Sequence, residues 1–355
     1  MMGSASRDVR AASRVTLRTV AAHVGLSTTT VSHALSGRRP VSEQTCRQVR
    51  QAAQLLGYEA HRLARQNVTG RSDAVGVLCE RSLGPLSDAG QAALLDAVSQ
   101  VLQSAGLDCL MLASPGRGGV PLHERIVRDR HFDALLVLQT GSVDARIESL
   151  VRHHVPFVAV GRCRQPAAHV YPWLDLDEGG AAELAVGRLV DGAHRRIACV
   201  HLDPWLHATH AWCLGYRTAM QGGGLPVTPQ MMLAAKRCAG DGYAAGVRLL
   251  AMRPRPSAVI VQHPQVGNGL MHALLDAGVD PCHELAVVVH EAWSSGRIDL
   301  PSPVARVRYE DLAAAAEWLG RRLVALVEGC TVAADHWLCR PSYWPADAMP
   351  DQPLG

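Results

Sequence analysis

The sequence lacks the features that mark a secreted or membrane-spanning protein. Its ten cysteines form no CxxC pair, no signal peptide is present, and no apolar run approaches the roughly 18 residues needed to cross a bilayer. Unpaired cysteines fit a reducing compartment, so we expect a cytoplasmic chain without a membrane partner. Charged residues are also scarce, at 19% against 48% hydrophobic, which excludes a disordered chain and predicts two or three domains in 355 residues.

Acidic residues are almost absent from the N-terminal part of the chain. Residues 1–72 contain eleven arginines and three acids, a net charge of +8, while the remainder carries 24 basic and 29 acidic residues, a net charge of −5. A basic head on a mildly acidic body is typical of a nucleic-acid-binding module joined to another domain. The alternative, a basic disordered arm, fits only residues 1–14, which have no apolar periodicity and are expected to form a flexible leader.

Three short helices are predicted in the basic head. Thr16 can cap the first, whose apolar residues recur at helical spacing up to a turn at Gly25. Ser27 can cap the second, and Ser42 can cap a third from about residue 43 to 56. Two short helices around a glycine turn suit insertion of the second into the major groove, although three small helices could equally form a protein-docking bundle. The positive charge favours DNA.

The head also carries a long ordered motif. Residues 15–45 read VTLRTVAAHVGLSTTTVSHALSGRRPVSEQT, followed by QAAQLLGYEAHRLARQN and then AVGVL. These stretches resemble the head, hinge and first strand of LacI-type (lactose-repressor family) transcriptional regulators, and the resemblance extends over nearly the whole chain. It implies a homodimer that binds a pseudo-palindromic operator in double-stranded DNA and responds to a small-molecule effector of unknown identity.

The resemblance assigns DNA contacts to polar residues of the head. Thr28, Thr29 and His33 are expected to face base edges or nearby phosphates, and Arg39 to approach from the following loop. Threonine can bond to several bases and offers a methyl group to thymine, while arginine pairs with guanine or phosphate. The complete expected set is Thr16, Ser27, Thr28, Thr29, Thr30, Ser32, His33, Arg39, Arg62, Leu63 and Arg65.

The hinge, residues 59–72, departs from the family pattern. The position of the usual wedge leucine holds Asn67, and that of the usual proline holds Ala60. An amide cannot unstack a base step as an apolar side chain can, so kinking of the DNA is not predicted by the usual route. Leu63 either takes the wedge role in a shifted register or packs between two hinge helices. The expected minor-groove or phosphate contacts are Arg62 and Arg65.

From Ala74 onwards, apolar strand segments alternate with helical segments in two similar series. This alternation predicts right-handed βαβ units and parallel sheets, with the segments at 303–307, 309–328 and 336–340 crossing back between lobes. The expected fold is an all-α helix-turn-helix head plus an α/β body of two doubly wound parallel-sheet lobes, type I periplasmic-binding-protein-like. The expected boundaries are 15–58 for the head, 59–72 for the hinge, 73–345 for the body and 346–355 for the tail.

Ligands of such folds lie in the cleft beyond the carboxyl ends of the strands. Trp212 stands where the family usually has an effector-binding arginine, and His263 and Glu291 stand where Asn-Asp and Asp motifs are common, so an ordinary sugar site is poorly supported. The expected effector contacts are His207, His210, Trp212, Arg237, His263 and Glu291, with Trp205 beside them.

Two alternatives for these cleft residues stay open. The spacing of His207 and His210 permits a metal or a pH-sensitive anion site, but seventeen histidines make close pairs common, and we expect no metal and no cofactor. Trp212 either stacks on the ligand or packs within a lobe.

Catalytic motifs are missing. The sequence has no GxSxG, HExxH or Walker A motif and no GxGxxG after a strand, so we expect no enzyme. The leading interpretation is a sequence-specific DNA-binding repressor whose affinity for DNA is coupled to effector binding. The alternative is a constitutive DNA-binding regulator whose body serves only dimerisation.

Overall fold

The structure, a computed structural model, describes residues 15–36, 39–58, 71–80, 89–114, 124, 126, 132–164, 171–281, 283–293 and 304–346. The expected leader, the hinge contacts Arg62, Leu63 and Arg65, and nearly all of the expected tail lie outside the described residues. The chain divides into two compact units, Met1–Ser72 and Asp73–Gly355, here called the head and the body.

The head contains three helices, each starting at a hydroxyl-bearing cap. Their bounds are Leu17–Val24 (α1), Thr28–Ser36 (α2) and Glu43–Leu56 (α3). The hydroxyls of Thr16, Ser27 and Ser42 accept hydrogen bonds from the backbone N–H three residues later, at 3.3, 3.0 and 3.2 Å. Gly25 and Gly57 follow α1 and α3 with φ of +65°, the left-handed conformation that ends a helix. The predicted caps and glycine stops are therefore confirmed.

A small apolar core holds the head together. Each helix contributes residues at helical spacing, as the sequence pattern predicts. The buried members are Val20, Ala21, Val31, Ala34, Val49, Ala52 and Ala53. Small side chains dominate this core, so the three helices can pack closely while their polar faces remain in solvent.

The body contains two lobes, each with a six-stranded sheet in the described residues. The sheet of the N-lobe has the order β11-β5-β4-β3-β1-β2 with all strands parallel. Its strands are Ala74–Glu80 (β1), Asp108–Ser114 (β2), Ala134–Val137 (β3), Phe157–Val160 (β4), Trp173–Leu176 (β5) and His336–Cys339 (β11). Its helices are Ala89–Ser104 (α4), Ala145–Arg152 (α5) and Leu312–Val327 (α10).

The sheet of the C-lobe has the order β12-β10-β9-β8-β6-β7. Its strands are Ile197–His201 (β6), Met232–Ala234 (β7), Ala258–Val261 (β8), Ala286–Glu291 (β9), Ala305–Arg308 (β10) and Ser342–Trp344 (β12). Its helices are Glu178–Asp191 (α6), His207–Gly222 (α7), Ala239–Ala251 (α8) and Pro264–Asp276 (α9). Strands covered on both faces are uniformly apolar, and all four residues of β8 are buried.

The chain passes between the lobes three times in the described residues, after β5, β10 and β11. The expected crossing back of the last segments is confirmed, and so is the α/β fold with two parallel-sheet lobes. The sequence did not predict β12, which has three residues and pairs antiparallel with β10. So short an edge strand has no alternation long enough to detect.

No helix in the described part of the chain is long and apolar enough to cross a membrane.

Candidate functional site

The outer face of α2 presents the polar residues that the sequence singles out. Thr28 and Thr29 are exposed, and neither α1 nor α2 contains an acidic residue. His33 lies one turn after Thr29 on the same face and is half-buried. Its Nδ1 atom is buried without a hydrogen-bond partner among the described residues. Arg39 is exposed in the segment after α2.

The other expected DNA contacts of the head lie at helix starts. The hydroxyls of Ser27 and Thr30 are hydrogen-bonded to each other at 2.8 Å, and those of Thr16 and Thr19 at 3.1 Å. These hydroxyls fix the first turns of α1 and α2, whose N–H groups form a positive end suited to phosphate. Ser32 is half-buried on α2.

A cavity between the lobes lies at the carboxyl ends of the C-lobe strands, where this fold class places ligands. It has an empty volume of about 680 Å³, part of it open to solvent. Its polar and aromatic lining includes Arg237, Gln262, His263, His290, Glu291 and Trp293. The structure thus brings three expected effector contacts, Arg237, His263 and Glu291, to one cavity.

Glu291 is the charged centre of this wall. It ends β9 and is only 2% exposed, with Oε2 at 3.4 Å from an Arg306 nitrogen and 3.2 Å from Arg308 Nε. Arg306 and Arg308 occupy alternate positions of the neighbouring strand β10. Oε1 of Glu291 is buried and has no hydrogen-bond partner among the described residues. The cavity therefore contains a paired carboxylate with one oxygen left to accept a hydrogen bond.

Backbone contacts orient the polar groups next to Glu291. Gln262 accepts a hydrogen bond from Leu202 N at its Oε1 atom, 2.9 Å away. His263 caps α9, and its Nδ1 atom accepts from Gln265 N at 3.2 Å. His290 Nδ1 lies 3.1 Å from the carbonyl oxygen of Gln262, so this ring nitrogen donates. Because Leu202 N already donates to Oε1 of the Gln262 side chain, the NH₂ group of this amide is the part suited to a ligand.

The expected contacts His207 and His210 lie instead where the lobes touch beside the cavity. His210 Nε2 accepts a hydrogen bond from Arg164 of the N-lobe at 2.8 Å. His207 Nε2 is 4.0 Å from Asp175, whose carboxylate is 2.9 Å from Arg162 Nε.

The backbone joins the two lobes in the same region. A β-bridge pairs Gly141 of the N-lobe with Leu206 of the C-lobe. The ring of Trp205 packs closely against Gly141, since a Cβ atom at position 141 would lie only 2.7 Å from that ring.

Burial shifts the pKa values of both members of this interlobe contact. It raises the pKa of Asp175 to about 7, and Glu178 adds to the rise while Arg162 opposes it. It lowers the pKa of His207 to about 4, with further lowering by the charges of Arg162 and other basic neighbours. Near neutral pH, His207 is therefore uncharged and Asp175 is poised to exchange a proton.

Trp212 does not line the described cavity. It is completely buried in the core of the body, and its ring lies 5.2 Å from that of His290. Of the two alternatives for Trp212, the structure favours packing within the core, where the ring lies behind His290 of the cavity wall.

Sequence reasoning missed several polar residues of the site. Gln262 directly precedes His263 at a strand end, a position that could have identified it. Arg306 and Arg308 alternate on an otherwise apolar strand, which is a second usable signal. Asp175 carries no such mark, because its ion pair depends on tertiary structure. Among the described residues, no group of three or more His, Cys, Asp or Glu side chains could hold a metal ion.

Comparison with known proteins identifies both parts of the chain. The family "Bacterial regulatory proteins, lacI family" matches residues 16–60, and "Periplasmic binding protein-like domain" matches residues 186–337. The chain is 28% identical to the HTH-type transcriptional regulator RafR of Escherichia coli, over 73% of this chain and 76% of that protein. It is 29% identical to the HTH-type transcriptional regulator CelR of Thermobifida fusca, over 78% and 82%.

Solved structures agree with these matches. The transcriptional regulator CelR-cellobiose complex aligns with 93% of this chain and 98% of its own, at 25% identity and a TM-score of 0.68. The lac repressor dimer bound to operator and the anti-inducer ONPF aligns over 95% and 100%, at 20% identity and a TM-score of 0.77, and supports the fold alone. The chain therefore combines a DNA-binding head of the lacI type with a periplasmic-binding-protein-like domain, and it is a DNA-binding transcriptional regulator with an effector domain of that kind.

Proposed function

We propose that α2 reads an operator in the major groove through Thr28, Thr29 and His33. The observation that carries this proposal is the exposure of both threonines on an acid-free helix in a segment of net charge +8. Phosphate contacts come from Arg39 and from the hydroxyls of the helix starts. The further proposed contacts with phosphate or the minor groove are Thr16, Ser27, Thr30, Ser32, Arg62, Leu63 and Arg65.

We propose that the regulator acts as a homodimer on a pseudo-palindromic operator, in the cytoplasm at the nucleoid. Exposed hydrophobic residues offer surfaces for self-association: Leu110 and Met111 on the edge strand β2, and Tyr243, Val247 and Leu275 on α8 and α9. Two heads related by twofold symmetry bind two half-sites of opposite orientation.

We propose that a small polar effector binds the interlobe cavity and that this binding changes the affinity of the repressor for its operator. Glu291 Oε1 accepts a hydrogen bond from a ligand hydroxyl or amine, and Arg237 and His263 add polar contacts. His207 and His210 respond to closure of the lobes, and Trp212 supports the wall from behind. A body that served only dimerisation would have no need of a buried, unpartnered acceptor in a residue that lines a cavity.

The DNA proposal is tested by selecting binders from a randomised duplex pool with the purified full chain. We expect enrichment of one sequence with two inverted half-sites, bound at least about 10³-fold more tightly than bulk DNA in fluorescence anisotropy. Binding of all duplexes with equal affinity at physiological salt would overturn it.

The effector proposal is tested by thermal-shift screening of small polyols, amines and amino acids. A ligand of the cavity raises the melting temperature by mass action, and Glu291→Gln abolishes the shift. Glu317→Gln, on the exposed face of α10, is the matched control and keeps it. A shift that survives Glu291→Gln unchanged would show that the ligand binds elsewhere.

A further inference from the structure

Two cysteines of the C-lobe lie side by side between β6 and α7. Cys199 and Cys213 belong to the same buried cluster. Tyr216 of α7 donates a hydrogen bond to the carbonyl oxygen of Ile197 of β6 at 2.8 Å. A helix that follows a strand in a βαβ unit runs back antiparallel to it. On the antiparallel helix, one turn back from Tyr216 corresponds to about two residues further along the strand from Ile197. This places Cys213 beside Cys199, close enough for each thiol to shift the pKa of the other.

Cys213 also borders a second cavity, separate from the effector cavity. This cavity is lined by His201, His210, Cys213 and Arg217 together with apolar residues, and none of the described lining residues is acidic. Arg217 is exposed and lies one helical turn after Cys213 on the same face of α7. The Cys213 thiol therefore lies beside solvent-accessible space in a basic surrounding, which is where reactive cysteines are found.

The electrostatic environment separates the roles of the two thiols. The neighbouring Cys199 thiol lowers the pKa of Cys213, burial opposes this effect, and the charge of Arg217 lowers the pKa further. Burial raises the pKa of Cys199 well above the usual value for a thiol. Since the thiolate is the nucleophile and Cys213, unlike Cys199, borders solvent-accessible space beside Arg217, Cys213 is the attacking member of the pair.

We propose that Cys213 and Cys199 form a peroxide-sensitive pair that oxidises to a disulfide. The Cys213 thiolate attacks one peroxide oxygen, the O–O bond breaks, and Cys213 becomes a sulfenic acid while the departing hydroxide takes up a proton to form water. The Cys199 sulfur then attacks the sulfenic sulfur and forms the S–S bond, while the sulfenic hydroxyl leaves as hydroxide and takes up the Cys199 proton to form a second water. The sulfurs lose two electrons in total, and the peroxide gains them.

Neither cysteine of this pair lies on the DNA face or lines the effector cavity. Its helix α7 begins next to Leu206, which joins the N-lobe through the bridge with Gly141. The new covalent bond would tie β6 to the helix whose first turn carries the interlobe contact of His210.

The experiment treats the reduced full chain with hydrogen peroxide, alkylates the remaining thiols and maps every cysteine by mass spectrometry. We expect a Cys199–Cys213 linked peptide that forms with peroxide dose and disappears on reduction. We expect Cys213 to be consumed about tenfold faster than Cys330, which is exposed and serves as an internal control in the same molecule. Equal rates for these two thiols, or oxidation without the linked peptide, would overturn the proposal.

Two variants assign the roles within the pair. In Cys199→Ser, Cys213 should stop at a sulfenic acid that dimedone traps. Arg217→Gln should slow oxidation of Cys213 several-fold, while Arg248→Gln, an exposed arginine on α8, should leave the rate unchanged. An unchanged rate in Arg217→Gln would contradict the role of the basic surrounding, and the wild-type mapping decides the proposal even if a variant fails to fold.

Discussion

The head and the body place their functional polar groups in opposite ways. In the head, hydroxyls such as those of Ser27 and Thr30 are bonded to partners three residues away, and Thr28 and Thr29 are exposed. In the body, Glu291 is buried and depends on arginines of a different strand. Surface groups that are fixed by residues nearby in the chain suit an extended ligand such as DNA. Buried groups that are fixed by residues far away in the chain suit a small ligand.

This difference separates the consequences of substitution. Replacing an exposed residue of the α2 face removes a proposed contact with DNA and leaves the packing of the head intact. Replacing a buried charge in the body leaves its partner unpaired in a low-dielectric surrounding, which destabilises the fold. Substitutions on the exposed face of α2 should therefore weaken DNA binding without reducing stability, whereas substitutions of buried charges in the body should reduce ligand binding and stability together.

The largest stability effect is expected for Glu291→Ala. The substitution leaves the guanidinium groups of Arg306 and Arg308 without their carboxylate, and we expect a loss of about 3 kcal/mol in the free energy of unfolding. Urea denaturation measures it. Glu317→Ala breaks the exposed pair with Arg321 on α10 and should cost less than about 0.5 kcal/mol. Equal losses in both variants would remove the distinction between buried and exposed pairs.

The next effect in size is a pH dependence of the free energy of unfolding, which has opposite signs for the neighbouring residues Asp175 and His207. The pKa of Asp175 is about 7 in the folded chain and about 3.9 when unfolded, so its contribution to stability falls as the pH rises from about 4 to 7. The pKa of His207 is about 4 when folded and about 6.5 when unfolded, so its contribution rises over about pH 4 to 6.5.

Single variants should separate these two slopes. Relative to wild type, Asp175→Asn should gain stability as the pH rises from about 4 to 7, and His207→Gln should lose it, each by at most about 1.4 kcal/mol per pH unit. Urea titrations at pH 4.5, 5.5 and 6.5 measure both. His153→Gln, on the surface after α5, is the control for simple loss of an imidazole. Parallel curves for the two variants would contradict the opposite shifts.

The smallest effect is expected at a helix cap of the head. Ser42→Ala removes the acceptor for Thr45 N at the start of α3, and we expect a loss of about 1 kcal/mol, or about fivefold less protection of the Thr45 amide in hydrogen exchange. Ser104→Ala, at the last residue of α4, removes no cap and should be neutral. Unchanged protection at Thr45 would show that the local bond does not hold α3.

Helices of the head could be predicted nearly to the residue because their signals are local. Ser42 and Gly57 bracket α3, and a cap and a glycine stop act within one turn of the helix. The strands of the body that are buried on both faces could be predicted equally well, because they are continuous apolar runs, as in residues 258–261.

The contacts of the cleft could not be predicted in the same way. Arg164 and His210 are 46 residues apart, and their hydrogen bond exists only because two lobes meet. Trp212 shows the same limit, since its identity fits both ligand stacking and packing, and only the tertiary structure places it in the core behind His290. The sequence therefore predicts which residues stand at strand ends, but not which residues they contact across the cleft.

We propose that the face of α2 selects the DNA sequence. Fluorescence anisotropy of Thr28→Ala/Thr29→Ala/His33→Ala, on the selected operator and on a scrambled duplex at one salt concentration, tests it directly. We expect about 100-fold weaker operator binding with unchanged affinity for the scrambled duplex, while Gln54→Ala on the exposed side of α3 behaves as wild type. If the triple variant still prefers the operator as strongly as wild type, α2 is not the element that reads it.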